Sequence, residues 1–110
     1  MSKFKVAVLI SGGGSNLQAI IDKFQSHETI ELSCVLSNKK DAYGLKRASK
    51  ANIDNFFVDH TNYSSREDFD RELIGTLEKY KPDLVVLAGF MRILSPLFVN
   101  KYLGKLINIH

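Results

Sequence analysis

One cysteine, two prolines and no tryptophan stand among 110 residues. A lone thiol excludes an internal disulfide. Cys34, inside the apolar run "LSCVL", reads as a small buried hydrophobe. No Pro-rich linker, repeat or low-complexity tract marks a boundary between domains, and the length suits one domain. Long apolar runs are missing too. None approaches the roughly 18 residues of a membrane span. Near the amino end Lys3 and Lys5 precede only five apolar residues, 6–10, unlike a secretory signal. A cytoplasmic protein without a membrane partner is the expectation. A strong excess of one charge is also absent: the formal net charge is +3. Arg66, Arg71, Lys79 and Lys81 are interleaved with acids, as on a solvated helix face. That pattern argues against nucleic acid as a partner and is compatible with a small anionic substrate.

What is present is alternation. Residues 4–10, "FKVAVLI", form a first strand apolar enough to be buried on both faces. A glycine-rich turn follows. Leu17, Ile20, Ile21 and Phe24 then recur at helical spacing. Residues 30–37 read as a second strand, 42–51 as a short helix and 54–59 as a third strand. Ser64-Ser65-Arg66-Glu67 has capping-box spacing and opens a helix with the stripe Phe69, Leu73, Leu77 and Tyr80. Pro82-Asp83 ends it. Residues 84–90, "LVVLAGF", are the most apolar and are expected to be the central strand. Ser95-Pro96 signals an N-cap with proline at the first helical position, and Gly104 a stop. "LINIH" (106–110) reads as a fifth strand, with Ile107 and Ile109 on one face and Asn108 and His110 on the other.

This order predicts an α/β fold: a Rossmann-like three-layer sandwich with a mostly parallel sheet and helices on both faces. Ligands of such sheets bind beyond the carboxyl ends of the strands. Three unusual segments fall on that rim: "SGGGSN" (11–16), "GFMRIL" (89–94) and the pair Asn108 and His110.

The glycines let the backbone approach a ligand, and the helix that follows offers free N–H groups to an anion. Ser15 with Gln18 could instead merely cap that helix. A dinucleotide fingerprint would need glycine where Leu17 stands, and the acidic residue expected after the second strand is replaced by Ser37-Asn38-Lys39-Lys40. Lys39 or Lys40 leaves NADP open. No Gly-Lys-Ser/Thr follows, which excludes a P-loop. A single phosphate on a small molecule fits best.

Asn108 could hold a carbonyl oxygen as it becomes an oxyanion, and His110 titrates near neutrality and can move a proton. Spacing alone is a weak signal and favours an inert polar strand end with a surface histidine. No Gly-x-Ser-x-Gly elbow is present, the three histidines lack metal-ligand spacing, and Cys34 lies inside a strand. Direct attack by a substrate amine therefore fits better than a covalent intermediate, and no metal is expected. His27 reads as solvated. His60 lies on the rim without an evident partner.

Together "VLISGGGSNLQAI", "SREDFDREL", "VVLAGFMRILSP" and "LINIH" closely resemble the phosphoribosylglycinamide formyltransferase family, folate-dependent enzymes of purine biosynthesis, from Val8 to His110. The resemblance covers the N-terminal half of that family's chain. It implies a truncated formyltransferase-type fold, with residues 1–110 as the phosphate-substrate-binding part. It implies transfer of a formyl group from the co-substrate 10-formyltetrahydrofolate to the amine of glycinamide ribonucleotide. By motif match Gly14, Ser15 and Asn16 hold the ribose-phosphate end. Arg66, Met91, Arg92, Ile93, Leu94 and Asn108 belong to the folate site. Asn108 stabilises the oxyanion and His110 serves in proton transfer.

Two departures matter. Gly13 stands where many relatives have asparagine, which loosens the loop. The family's catalytic aspartate, in the half not matched, has no counterpart. The fragment is therefore expected to act poorly alone and to self-associate through the edge of its sheet. The α-carboxylate of His110 is a candidate stand-in for that aspartate, raising the imidazole pKa. The competing readings are a methionyl-tRNA formyltransferase, a formyltetrahydrofolate hydrolase, or a non-enzymatic nucleotide-binding module.

Overall fold

The computed structural model describes residues 3–109. Five strands alternate with helices: β1 (Phe4–Ile10), α1 (Ser15–Phe24), β2 (Ile30–Ser37), α2 (Tyr43–Lys50), β3 (Asp54–Phe57), α3 (Arg66–Glu78), β4 (Leu84–Ala88), α4 (Pro96–Lys101) and β5 (Leu106–Ile109). A short 3-10 turn, His60–Asn62, precedes α3. All the strand pairs are parallel, in the order β3-β2-β1-β4-β5. The α/β expectation is met.

The alternation of faces builds two cores. Val6, Val8 and Ile10 point to α1 and α2, where they pack with Leu17, Ile21 and Ala48. Ala7 and Leu9 point the other way, to Phe69, Leu73 and Leu77 of α3, to Phe98 of α4 and to Tyr102 just after it. Ala7 through Ile10 are fully buried, as a strand covered on both faces must be. Burial of a Leu or Phe side chain contributes roughly 1.5–3 kcal/mol, so the Phe69-Leu73-Leu77 stripe is a principal support of the second layer.

Five sequence expectations change, the first being that β4 ends at Ala88 rather than at 90. β1, not the more apolar 84–90 segment, is the central strand. Apolarity reports burial on both faces, and β4 is equally an inner strand paired with β1 and β5. β3 ends at Phe57 rather than at 59. There Asp59 turns the chain by accepting from the Thr61 backbone N–H at 2.9 Å and its hydroxyl at 2.6 Å, a local bond that competes with ladder pairing. Those bonds also hold the Asp59 carboxyl below its usual pKa. Ser65, not Ser64, caps α3, accepting from the Asp68 N–H at 3.1 Å. Tyr80 lies beyond the end of α3, half-buried, and donates its hydroxyl to Asp54 at 2.8 Å.

The order β3-β2-β1-β4-β5 has one reversal. The chain runs outward from β1 through β2 to β3, then returns over α3 to β4 on the other side of β1. Helices leave the sheet on opposite faces at that point, which makes the place past the carboxyl ends of β1 and β4 the expected ligand crevice. It is flanked by the two segments the sequence singled out.

Candidate functional site

The glycine loop begins where β1 ends. Gly14 has φ +78°, and a Cβ there would lie 2.8 Å from the Gly44 Cα. Both the left-handed conformation and the close approach of α2 demand glycine. Gly44 is similarly constrained, because a Cβ on it would overlap Ile10. At Gly12 and Gly13 an added Cβ meets nothing within 4 Å, so the glycine at 13 is a matter of chain freedom, not of space.

The loop carbonyls are occupied from one side. The Gly44 N–H donates to Gly12 O at 3.1 Å, and Arg47 Nε donates to Gly13 O at 2.8 Å. Arg47 also donates from Nη1 to Gln18 Oε1 at 3.1 Å and stacks over Tyr43 at 4.9 Å. Gly14 is the N-cap of α1 and has no side chain to give. Ser15 is the first helical residue, so the alternative in which Ser15 and Gln18 form a capping box is not realised. The first-turn N–H groups of α1 are left for water or a ligand, where the helix dipole favours an anion. Ser15 and Asn16 stand at that end.

Across the crevice, β4 gives way to the 89–95 segment through Gly89, φ +72°. The Met91 N–H donates to Ser11 Oγ at 2.7 Å. Ser11 in turn donates to Asn38 Oδ1 at the end of β2, and both residues are buried. His60 Nδ1 lies 3.3 Å from Asn38 O and 3.5 Å from Asn38 Nδ2, with its ring edge-on to Phe69. His60 thus has the partner that the sequence did not reveal. At the far end of the segment the Ser95 N–H donates to Asp70 Oδ2 at 2.6 Å. Ser95 is the expected N-cap of α4, with Pro96 next, but its hydroxyl makes no cap bond.

Between these anchors Met91 is 76% and Ile93 73% exposed. Leu94 packs toward α3 and α4. Arg92 lies over the Phe69 ring at 5.7 Å. Arg66, the first residue of α3, is exposed on the same rim. Asn108, on β5 in register with Leu87, is exposed as well. His110 lies outside the described residues. The fold therefore brings 11–16 and 91–94 into direct contact. It places Arg66 and Asn108 on their rim, with no hydrogen bond of either side chain to the two segments among the described residues.

Sequence reasoning missed Asn38, Gly44, Arg47 and Asp70, and it placed Ser11 in the loop without the part it plays in holding Met91. One signal was available: Asp70 sits inside the apolar stripe of α3, next to Phe69 and three residues before Leu73, where a charge is out of place. The others act through contacts between distant segments and leave no local pattern. Cys34 is buried as expected, and burial pushes its thiol up to about 12, with the Asp54 charge adding to the effect. His27 is exposed as expected. Among the described residues no three His, Cys, Asp or Glu side chains gather as metal ligands. Nor, among those residues, is any helix long and apolar enough to cross a membrane. An apolar hollow of about 270 Å³ beside α1, lined by Phe4, Phe24, Leu84 and Ile107, lies toward the amino ends of the strands and away from the crevice.

Comparison with known proteins agrees with this fold. The family model described as formyl transferase matches residues 4–110. The phosphoribosylglycinamide formyltransferase of Escherichia coli (strain K12) is 54% identical over 106 residues, covering 96% of this chain and 50% of that protein. The trifunctional purine biosynthetic protein adenosine-3 of Homo sapiens is 47% identical over 109 residues, 98% of this chain and 11% of that protein. The structure of the phosphoribosylglycinamide formyltransferase of Coxiella burnetii in complex with CHES superposes with TM-score 0.93 at 50% identity, covering 99% of this chain and 52% of that one. The chain spans about half the length of the bacterial relatives it matches.

Proposed function

Because this chain belongs to the formyl transferase family, we propose that it is the phosphate-substrate-binding half of a phosphoribosylglycinamide formyltransferase. Its reaction moves a formyl group from 10-formyltetrahydrofolate to the amine of glycinamide ribonucleotide. The observation that carries this reading is the bond from the Met91 N–H to Ser11 Oγ. It joins the expected folate segment to the root of the expected phosphate loop, at the place where such sheets bind ligands.

Each residue then has a task. Gly14, Ser15 and Asn16 hold the ribose phosphate at the start of α1. Arg66, Met91, Arg92, Ile93 and Leu94 flank the folate. The glycinamide amine attacks the formyl carbon, and the carbonyl oxygen gains negative charge. Asn108 offers its amide N–H to that oxyanion. His110 takes the proton that the attacking amine sheds and returns one to N10 of the folate as the C–N bond breaks. Within this half, protein dipoles and one titrating group carry these steps, and the reading includes no metal. The reaction partners are small molecules rather than nucleic acid, in the cytoplasm. The outer edge of β5, unpaired among the described residues, supports self-association as a companion proposal.

The test is twofold. Glycinamide ribonucleotide protects the chain from heat, and NADP does not. Formyl transfer is weak with the chain alone and rises when the second half of a relative is added. Substrate binding without activity in either assay would make the chain a binding module instead.

A further inference from the structure

We propose that Ser11 and Asp70 are positioning residues that hold the 91–94 segment at its two ends, so that Met91 and Ile93 are presented to the folate in one fixed conformation. The inference rests on the folate reading above and adds two residues to it. No main-chain to main-chain hydrogen bond of residues 90–94 occurs among the described residues. Nothing in the backbone itself sets the shape of this segment. Two side chains do so instead, one from each side of the crevice. Ser11, 5% exposed, takes the Met91 N–H. Asp70, 0% exposed, takes the Ser95 N–H. Ser11 is itself held by Asn38, 2% exposed.

A purely structural role explains Asp70 poorly. Leucine there would extend the apolar stripe of α3 and avoid the cost of a buried carboxylate. Around this clamp, Asp70 Oδ1, Arg92 Nε and Ser95 Oγ are buried without partners. Such orphaned polar atoms are rare in a folded chain, and here they cluster at the two ends of one segment. Between the clamps, two large apolar side chains stay in water. A segment ordered in advance loses less freedom when its ligand arrives, which tightens binding without adding a contact.

Amide hydrogen exchange and ligand titration on the 110-residue chain test this. Ser11→Ala speeds exchange at the Met91 amide at least about tenfold, and Asp70→Ala does the same at Ser95. The Val8 and Val86 amides stay as protected as in the wild type, which separates a loosened segment from a loosened fold. Each variant binds tetrahydrofolate about tenfold more weakly. Asp70→Ala leaves glycinamide ribonucleotide binding within about twofold, and Asp70→Asn, which keeps an acceptor oxygen, restores folate binding. Unchanged exchange at Met91 and Ser95, or unchanged tetrahydrofolate affinity in the variants, overturns the proposal. Wild-type chain that binds glycinamide ribonucleotide but no tetrahydrofolate overturns the folate reading itself, and the exchange data still decide the clamps.

Discussion

Arg47 on α2 donates from Nε to the carbonyl oxygen of Gly13 across 2.8 Å, and its guanidinium also reaches Gln18 on α1. One side chain thereby ties the glycine loop to the helix behind it. In the phosphate site proposed above, a carbonyl engaged from behind is kept from turning toward the anion. Arg47→Ala is expected to weaken glycinamide ribonucleotide binding about tenfold and to cost about 1–2 kcal/mol of stability, as for a lost charge-assisted bond. Calorimetric titration and urea unfolding measure the two effects separately. Arg47→Lys recovers little, because an ammonium cannot span both acceptors.

Gly14 and Gly44 touch back to back. Gly14→Ala would force a Cβ into the left-handed region and against the Gly44 Cα. The expected loss is about 2–4 kcal/mol, from backbone strain plus overpacking. Gly13→Asn meets nothing within 4 Å at the Cβ and is expected to change stability by no more than about 0.5 kcal/mol. A urea series on both variants checks the contrast. Similar losses in the two would show that loop freedom, not steric fit, selects glycine.

Cys34 is walled in between β1 and β3. Its thiol, pushed up to about 12 by burial, is protonated at pH 8 and inaccessible. A disulfide exchange reagent at pH 8 is expected to label it only at the rate of unfolding. Fast labelling of the native chain would contradict the burial.

Four groups have pKa values raised in the folded state, Tyr63 among them through desolvation and the neighbouring Glu72 carboxylate. Cys34 and Tyr80 are each pushed up to about 12, and Tyr102 is raised further by burial and by its 2.9 Å bond to Glu78. In each the folded state favours the protonated form more than the unfolded chain does. That contribution is complete below the unfolded pKa values of about 9–10 and is lost as pH rises from there toward 12. Urea midpoints are therefore expected to fall progressively above pH 9. Tyr102→Phe makes the fall shallower and costs about 1 kcal/mol at pH 7 through the lost hydrogen bond. An unchanged alkaline slope in that variant would remove Tyr102 from the account.

The repeated alternation of strand and helix was legible because it is local. Period-two and period-3.6 patterns, a Pro at the first turn of α4 and a glycine at the end of β1 need no distant contact to be read. The errors were local competitions of another kind. Asp59 outbid the β3 ladder, and Ser65 outbid Ser64 for the cap. Both choices turn on a single hydrogen bond, below what pattern resolves.

By itself the sequence determined the α/β class, the number of elements, the buried faces and the two candidate segments at 11–16 and 89–94. Only tertiary structure decided that β1 is central, that the reversal falls between β1 and β4, and that Ser11 meets Met91 while Asp70 meets Ser95. The reason is range. Propensity and periodicity act within a few residues, whereas these pairs, 80 and 25 residues apart, come together only when the whole sheet closes and its layers pack.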